Sequence, residues 1–214
     1  MADAPKPVTP LILDTPHGPA RVHLDEVRSP KGALVLGHGA GGSVVSKDLV
    51  ETTTIARSAG IAVALVEQPY RVAGRRAPAP AAQLDAAWTS VLEALRAGWF
   101  HEVPLVSGGR SSGARVACRT SGATGAAGVL CLAFPLQPPR GKRAEPPPSR
   151  LPELDGVEVE TLVVQGERDR FGMPPAAERR TVCVVPGDHS LRQGLASAAP
   201  VVAEWLQSLV QERA

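Results

Sequence analysis

The sequence predicts an α/β fold in which helices cover both faces of a mostly parallel central sheet. Continuous apolar runs recur along the chain and are typical of strands buried on both faces, at residues 33–36, 61–66, 128–134, 161–164 and 181–185. Segments with apolar residues at helical spacing alternate with these runs, which indicates repeated strand–helix–strand units. A glycine-rich turn also joins one short strand to a helix-compatible run.

The chain begins with a predicted antiparallel hairpin. Residues 11–14 and 21–27 are short strand candidates, and the sequence PHGP between them is a turn signal. We interpret His17 and His23, which lie in this region, as partly exposed surface histidines.

Three longer helices are predicted at 47–59, 81–97 and 199–211. A glycine follows each of the first two, which is typical of a helix end. The last two place apolar residues on one face, so we expect them to pack on the sheet, with Trp88 in the core.

Two stretches between these elements are predicted to be loops. Residues 68–80 carry several arginines, and residues 135–152 are rich in proline. Proline lacks the N–H that a helix needs, so the second stretch cannot form a helical lid. We expect a long ordered loop or a mobile flap there.

Composition limits the possible partners and location. The 23 basic and 21 acidic side chains leave a net charge of only +2, so no strong field favours nucleic acid or a membrane surface. Neither a secretory leader pattern nor a bilayer-spanning apolar stretch is found, and we expect a cytoplasmic protein. The 214 residues suit a single domain, 1–214. Cys118, Cys131 and Cys183 are expected to be buried free thiols.

The glycine-rich turn marks the candidate catalytic centre. Residues 109–113 read GRSSG, which satisfies G-x-S-x-G, and they follow the apolar strand 103–106 and precede the helix-compatible run 114–118. Strand, tight turn and helix in this order form the nucleophile elbow of the α/β-hydrolase fold, which lifts a serine hydroxyl above the sheet. A phosphate cradle is the alternative, so the interpretation depends on whether the catalytic partners appear in the right order.

Two adjacent serines compete for the role of nucleophile. Side chains two positions before or after the nucleophile would collide where strand and helix cross, so both positions favour glycine. Ser111 has Gly109 and Gly113 at these positions, whereas Ser112 has an arginine and an alanine. We therefore predict Ser111 as the nucleophile.

The acid and the base are expected after later strands. In this fold the order along the chain is serine, acid, histidine, and each follows a strand. Asp169 and His189 satisfy both conditions, and the spacing between them leaves room for one short helix and the last strand. His189 would take the proton of the Ser111 hydroxyl and return it to the leaving group. Asp169 would hold the imidazole tautomer and stabilise its positive charge.

Other acids and histidines compete for these roles. Glu167 lies too close to its strand end to reach forward, and Asp188 adjoins the histidine that it would have to orient, so Asp169 is preferred. His38 precedes the nucleophile and lies in a glycine loop, which we expect it to hydrogen-bond. His101 is expected at the surface.

Backbone N–H groups are expected to bind the oxyanion of the tetrahedral intermediate. One is that of Ser112, directly after the nucleophile, and the other is that of Ala40 in the HGAGG loop after strand 33–36. The helix behind Ser111 adds its dipole to this pocket. This chemistry uses no cofactor and no metal.

These motifs resemble those of a known family. HGAGG, GRSSG, GERD followed by FG, and GDHSL look like the small, capless α/β hydrolases related to dienelactone hydrolase. That group includes a vertebrate testis-expressed protein and a subunit of a histone acetyltransferase complex. The resemblance covers nearly the whole chain and implies the hydrolase fold without a helical cap, with the triad at the three positions above.

The chain departs from that family at two positions. Dienelactone hydrolase itself has a cysteine nucleophile, whereas the corresponding position here is Ser111. Relatives often have proline after the acid, where this chain has Arg170. At the second position we expect a locally altered loop rather than a lost acid.

Aromatic side chains are predicted to wall a small acyl pocket at the mouth of the sheet. Tyr70, Phe134 and Phe171 each follow a strand, and the carboxyl ends of the strands form that mouth. Ordinary packing explains the same residues equally well.

Basic side chains follow the same strands, so the mouth is expected to favour esters that bear a carboxylate or a phosphate. Solvated loops explain them as well. They are Arg71, Arg75, Arg76, Arg110, Arg140, Lys142, Arg143 and Arg170.

The predicted function is hydrolysis of a small carboxylic ester or thioester through an acyl-enzyme on Ser111. One alternative is a hydrolase-fold scaffold that binds a partner protein and catalyses little. Another is an acyltransferase whose acceptor is not water. The presence of all three triad side chains favours an enzyme, because a scaffold does not need them together.

Overall fold

The structure is a computed structural model that describes residues 10–25, 27–139, 145 and 147–211. Within these residues, eight strands form one sheet in the order β1-β2-β4-β3-β5-β6-β7-β8. The strands are β1 (Leu11–Leu13), β2 (Ala20–Asp25), β3 (Gly32–Gly37), β4 (Ile61–Glu67), β5 (Leu105–Arg110), β6 (Gly128–Leu132), β7 (Thr161–Gly166) and β8 (Arg180–Val185).

The sheet is mostly parallel, as predicted. β1 pairs with β2 and β2 with β4 in antiparallel registers, which gives the expected opening hairpin. The remaining neighbours, from β4 through β3, β5, β6 and β7 to β8, are parallel. The carboxyl ends of the parallel strands therefore meet at one edge, where ligands bind in sheets of this kind.

Six α-helices accompany the sheet in the part of the chain that the structure describes. They are α1 (Lys47–Ser58), α2 (Pro69–Val72), α3 (Ala81–Ala97), α4 (Ser112–Thr124), α5 (Leu151–Asp155) and α6 (Ala199–Gln211), and a 3-10 turn, Leu195–Ala198, precedes the last. None of the helices among the described residues is both long enough and apolar enough to cross a membrane.

The helices cover both faces because side chains alternate along each strand. Leu36 of β3 packs in a cluster with α1 and α6, whereas its neighbour Val35 packs in a second cluster with Trp88 of α3. A third cluster joins α4 and α5 to Cys131 of β6. Trp88 is fully buried, as the helical spacing of its apolar neighbours predicted.

Some element predictions were wrong. The predicted loop 68–80 contains the short helix α2. No helix lies between Asp169 and β8; turns occupy that segment, and an isolated antiparallel bridge joins Ala177 to Arg180. Two consecutive prolines, Pro174 and Pro175, lie in the middle of that segment, and each lacks the N–H that a helix requires.

The proline-rich stretch 135–152 is described only in part. Its described residues hold no helix before α5 begins at Leu151. Residues 140–144 and 146 lie outside the described residues, and the expectation of an ordered loop or flap there remains a prediction. The three cysteines are free; Cys118 and Cys131 are buried, and Cys183 is partly buried.

Candidate active site

The backbone turn at Ser111 has the geometry that a nucleophile elbow requires. β5 ends at Arg110, α4 begins at Ser112, and Ser111 between them adopts φ 52° and ψ −104°. A side chain at positive φ costs about 1–3 kcal/mol and persists where the surroundings hold it. Here the N–H of Ser111 donates to the carbonyl of Leu132 at 2.9 Å, which anchors the turn to the end of β6.

Glycine is required on both sides of this turn because the elbow crosses the end of β3. A Cβ atom on Gly109 would lie 2.5 Å from the carbonyl oxygen of Gly37, and one on Gly113 would overlap the same carbonyl. The steric argument that selected Ser111 over Ser112 therefore corresponds to a close backbone contact.

Replacing Gly113 by alanine should destabilise the protein by about 3 kcal/mol, because the added methyl group forces β3 and α4 apart. Urea unfolding measures this as a lower midpoint. Gly122 on the same helix is the matched control, since a Cβ there meets nothing within 4 Å. Gly122→Ala should raise the free energy of unfolding by up to about 1 kcal/mol. Equal midpoints for the two variants would contradict the steric account.

Three side chains from different loops form one chain of hydrogen bonds. The Nε2 atom of His189 lies 3.0 Å from the Oγ atom of Ser111, and its Nδ1 atom lies 2.8 Å from Oδ2 of Asp169. The Asp169 carboxylate is fully buried, whereas Ser111 is partly exposed. A buried carboxylate can hold Nδ1 protonated, which leaves Nε2 as the acceptor that faces the serine hydroxyl.

Two further donors fix the Asp169 carboxylate. The backbone N–H of Phe171 donates to Oδ1 at 2.9 Å, and the side-chain amide of Gln165 donates to Oδ2 at 2.8 Å. The same amide nitrogen lies within 3.1 Å of the carbonyls of Phe134 and Gly172. Gln165 is fully buried, and it was not among the site residues predicted from the sequence. The only sequence feature that could have indicated this role is the presence of a polar residue near the end of an apolar strand, four positions before the acid.

Replacing Gln165 by methionine keeps the side-chain volume but removes the donor to Asp169. A hydrogen bond to a charged group contributes about 1.5–3 kcal/mol, so we expect kcat to fall by about 10- to 100-fold. Steady-state hydrolysis of an activated ester such as p-nitrophenyl acetate measures this. The control is Gln211→Met at the exposed end of α6, which should leave kcat unchanged. Equal kcat values for the two variants would show that Asp169 needs no support from Gln165.

The competing carboxylates point elsewhere. Glu167 is exposed and pairs with Arg168 at 3.0 Å. Asp188 is exposed, and the hydroxyl and N–H groups of Ser190 donate to it and lower the pKa of its carboxyl. In the described part of the chain, neither carboxylate has a hydrogen bond or ion pair with His189.

His38 supports the glycine loop, as expected. Its Nε2 atom accepts the backbone N–H of Gln68 at 3.2 Å, so the proton is on Nδ1, which donates to the carbonyl of Gly39 at 2.8 Å. Burial lowers the pKa of His38, which favours this neutral form. His38 therefore joins the loop after β3 to the end of β4.

The two expected oxyanion donors are free to bind a ligand. Within the described residues, the N–H groups of Ala40 and Ser112 have no hydrogen-bond acceptor. The loop that carries Ala40 is held by a turn from Gly42 to Gly39 and by the hydroxyl of Tyr70, which donates to the Ala40 carbonyl at 2.7 Å. Ser112 begins α4, so its N–H lies at the positive end of a helix.

Comparison with known proteins decides the family. The family model described as "Alpha/beta hydrolase domain" matches residues 30–211. The chain belongs to this family. The fold is thus the α/β-hydrolase fold, as the sequence predicted, with no helical cap among the described residues, and family membership supports a hydrolase. Assignment to the narrower group with the testis-expressed protein remains a prediction. No curated protein sequence matches the chain significantly.

Solved structures of other hydrolases share the fold at low sequence identity. The lidless serine hydrolase XC6422 from Xanthomonas campestris is 21% identical, with a TM-score of 0.72 over 98% of this chain and 96% of its own. Est1E from Butyrivibrio proteoclasticus is 13% identical, with a TM-score of 0.78 over 95% of this chain and 100% of its own. Dienelactone hydrolase from Anabaena variabilis is 15% identical, with a TM-score of 0.71 over 94% of this chain and 99% of its own.

The three aromatic residues predicted to wall an acyl pocket take different positions in this α/β hydrolase. Phe134 has no exposed surface and packs in the core with α4, so its prediction as a pocket wall was wrong. Tyr70 is also buried, and its hydroxyl is occupied by the Ala40 carbonyl. Phe171 is partly exposed, and its ring meets the His189 ring edge to face at a centroid distance of 4.5 Å.

Only some of the basic side chains predicted at the mouth of the sheet are found near the Ser111, Asp169 and His189 cluster. Arg75 and Arg76 are exposed, and neither forms a hydrogen bond or ion pair with the Ser111, Asp169 and His189 cluster among the described residues. Arg75 instead lines a cleft of about 70 Å³ together with Tyr70. Three other members of the predicted set lie outside the described residues, namely Arg140, Lys142 and Arg143.

Proposed function

We propose that the protein hydrolyses small carboxylic esters or thioesters, with Ser111 as nucleophile, His189 as general base and Asp169 as orienting acid. The observation that carries this proposal is the continuous hydrogen-bonded chain from the Ser111 hydroxyl through His189 to the buried Asp169 carboxylate. A serine hydroxyl is a weak nucleophile at neutral pH, and this arrangement activates it.

The first half of the reaction forms an acyl-enzyme. Oγ of Ser111 attacks the substrate carbonyl carbon while Nε2 of His189 takes the hydroxyl proton. The carbonyl oxygen becomes an oxyanion that accepts hydrogen bonds from the N–H groups of Ala40 and Ser112. The intermediate then collapses, the bond to the alcohol or thiol breaks, and His189 donates its proton to that leaving group.

The second half releases the acid. His189 removes a proton from a water molecule, whose oxygen attacks the acyl carbon, and the second tetrahedral intermediate is bound by the same two N–H groups. Collapse breaks the bond to Oγ, and the proton returns to Ser111. If an alcohol or amine replaces the water, the same steps give acyl transfer.

Structural neighbours support a small ester as the substrate class. Est1E has also been solved with ferulic acid bound, and another neighbour is an esterase domain from a Rhodothermus marinus protein. Ser111 is partly exposed, so the carbonyl group of a small ester can reach its hydroxyl.

A fluorophosphonate probe tests this proposal, because it phosphonylates a serine that is activated by a neighbouring base. We expect wild-type protein to be labelled and mass spectrometry to locate the adduct on Ser111. Ser112→Ala is the matched control and should be labelled like the wild type, since alanine keeps the backbone N–H.

Absence of labelling of folded wild-type protein, in a reaction where an active serine hydrolase is labelled, would refute the proposal. That outcome would favour the scaffold alternative. Product analysis in the presence of added alcohols or amines would separate hydrolysis from acyl transfer.

A further inference from the structure

The residue that precedes the nucleophile forms an ion pair with a buried carboxylate. The Nε atom of Arg110 donates to Oδ2 of Asp48 at 2.7 Å, and Asp48 lies in the first turn of α1 with a side chain only 2% exposed. The other carboxylate oxygen of Asp48 accepts the N–H of Leu49 at 3.0 Å. Both oxygens of this carboxylate are therefore used to fix its position.

The same guanidinium contacts the loop that carries the base. Its Nη2 atom donates to the backbone carbonyl of His189 at 3.2 Å. Within the described residues, Arg110 is the only donor to that carbonyl. The position of the His189 backbone thus depends on a side chain that starts next to Ser111.

Arg110 also packs against the loop that carries an oxyanion donor. A Cβ atom on Gly39 would lie 2.7 Å from Nη1 of Arg110, so that nitrogen occupies the space beside Gly39. One planar group therefore contacts α1, the His189 loop and the loop that holds Ala40. Arginine suits such a site because its five N–H donors form a rigid, planar fork.

We propose that Arg110, oriented by Asp48, is a positioning residue that aligns His189 and the oxyanion loop with Ser111. This inference rests on the proposed function, since it concerns the same triad. The Arg110 side chain acts through the His189 backbone and through packing against Gly39. Misplacement of a catalytic group by about 1 Å lowers the rate by about 100-fold, so loss of this link should affect kcat.

The test compares Arg110→Met, Arg110→Lys and Asp48→Asn in hydrolysis of p-nitrophenyl acetate. Arg110→Met should lower kcat by about 10- to 100-fold with little change in KM, because positioning rather than binding is lost. The three N–H donors of lysine start from one nitrogen, which cannot reach Asp48 and the His189 carbonyl together, so Arg110→Lys should recover only part of kcat. In Arg110→Ala, added methylguanidinium should restore activity.

Arg180 provides a matched control. It is 7% exposed, pairs with Asp155 at 3.0 Å and donates to the carbonyl of Pro175 at 2.7 Å, so it makes the same two kinds of contact. Arg180→Met should lower the unfolding midpoint and leave kcat of the folded protein unchanged.

The inference would be overturned if Arg110→Met and Asp48→Asn retained wild-type kcat, or if Arg110→Met and Arg180→Met changed kcat equally. If Arg110→Met does not fold, Asp48→Asn decides, because it keeps the guanidinium and removes the carboxylate that orients it. A lower kcat is expected in Asp48→Asn, and an unchanged kcat would overturn the inference. An inactive wild-type protein would instead refute the proposed function. In that case crystal structures still test the inference, because His189 should shift from Ser111 in Arg110→Met and an unmoved His189 would refute it.

Discussion

Replacing Ser111 by alanine is expected to lower kcat for ester hydrolysis by about 10⁴- to 10⁶-fold, with the protein still folded. The variant loses the atom that forms the acyl-enzyme. The N–H groups of Ala40 and Ser112 remain and can still bind an oxyanion, so a small residual rate from direct attack of water is expected. Burst kinetics with p-nitrophenyl acetate measure both the acylation step and the residual rate.

Ser112→Ala is the matched control for this variant. The two serines are adjacent, but of their two hydroxyl groups only that of Ser111 lies within hydrogen-bonding distance of His189. Ser112 takes part in the proposed mechanism through its backbone N–H, which alanine retains, so its kcat should stay near that of the wild type. A large loss in Ser112→Ala together with a small loss in Ser111→Ala would show that the nucleophile was assigned to the wrong serine.

Replacing Asp169 by asparagine is expected to lower kcat by about 10⁴-fold through a change of histidine tautomer. The backbone N–H of Phe171 donates to Oδ1 of residue 169, so an asparagine should place its carbonyl oxygen there. The Gln165 amide, which donates to Oδ2, must then turn away from the asparagine amide nitrogen at the Oδ2 position. That nitrogen would donate to Nδ1 of His189. The imidazole proton would then reside on Nε2, which could no longer accept the proton of Ser111.

Glu167→Gln and Asp188→Asn are the controls for Asp169→Asn, because both remove a nearby carboxylate that competed for the role of acid. Glu167 pairs with Arg168 and Asp188 binds Ser190, so neither variant should change kcat by more than about 2-fold. A large loss in either control, with Asp169→Asn nearly unaffected, would move the role of acid to that residue.

The catalytic candidates could be predicted from the sequence because the elbow is a local steric requirement. Only glycine avoids the Gly37 carbonyl where β5 and α4 cross β3. This requirement identifies Ser111 as the candidate nucleophile within the five-residue motif 109–113. The order of strand ends then points to Asp169 and His189, since the ends of parallel strands meet at one edge. In the structure, His189 lies within hydrogen-bonding distance of both Ser111 and Asp169.

The supporting contacts could not be predicted because they depend on side-chain directions that packing sets, even where the partners are only four residues apart, as Gln165 and Asp169 are. Gln165 sits in an apolar strand, and nothing in its neighbourhood indicated that its amide would hold Asp169. Arg110 was interpreted as part of a basic mouth, yet its charge is paired with Asp48 of α1. Phe134 follows a strand as a pocket residue would, but its side chain turns into the core.

The sequence by itself determined the fold class, the mostly parallel character of the sheet and the candidate nucleophile, because burial patterns and backbone sterics are local properties of the chain. Tertiary structure alone decided which polar side chains meet, since a hydrogen bond depends on positions within a few tenths of an ångström that packing of distant elements sets. The Arg110 guanidinium, which contacts α1, the His189 loop and the oxyanion loop at once, is the clearest case.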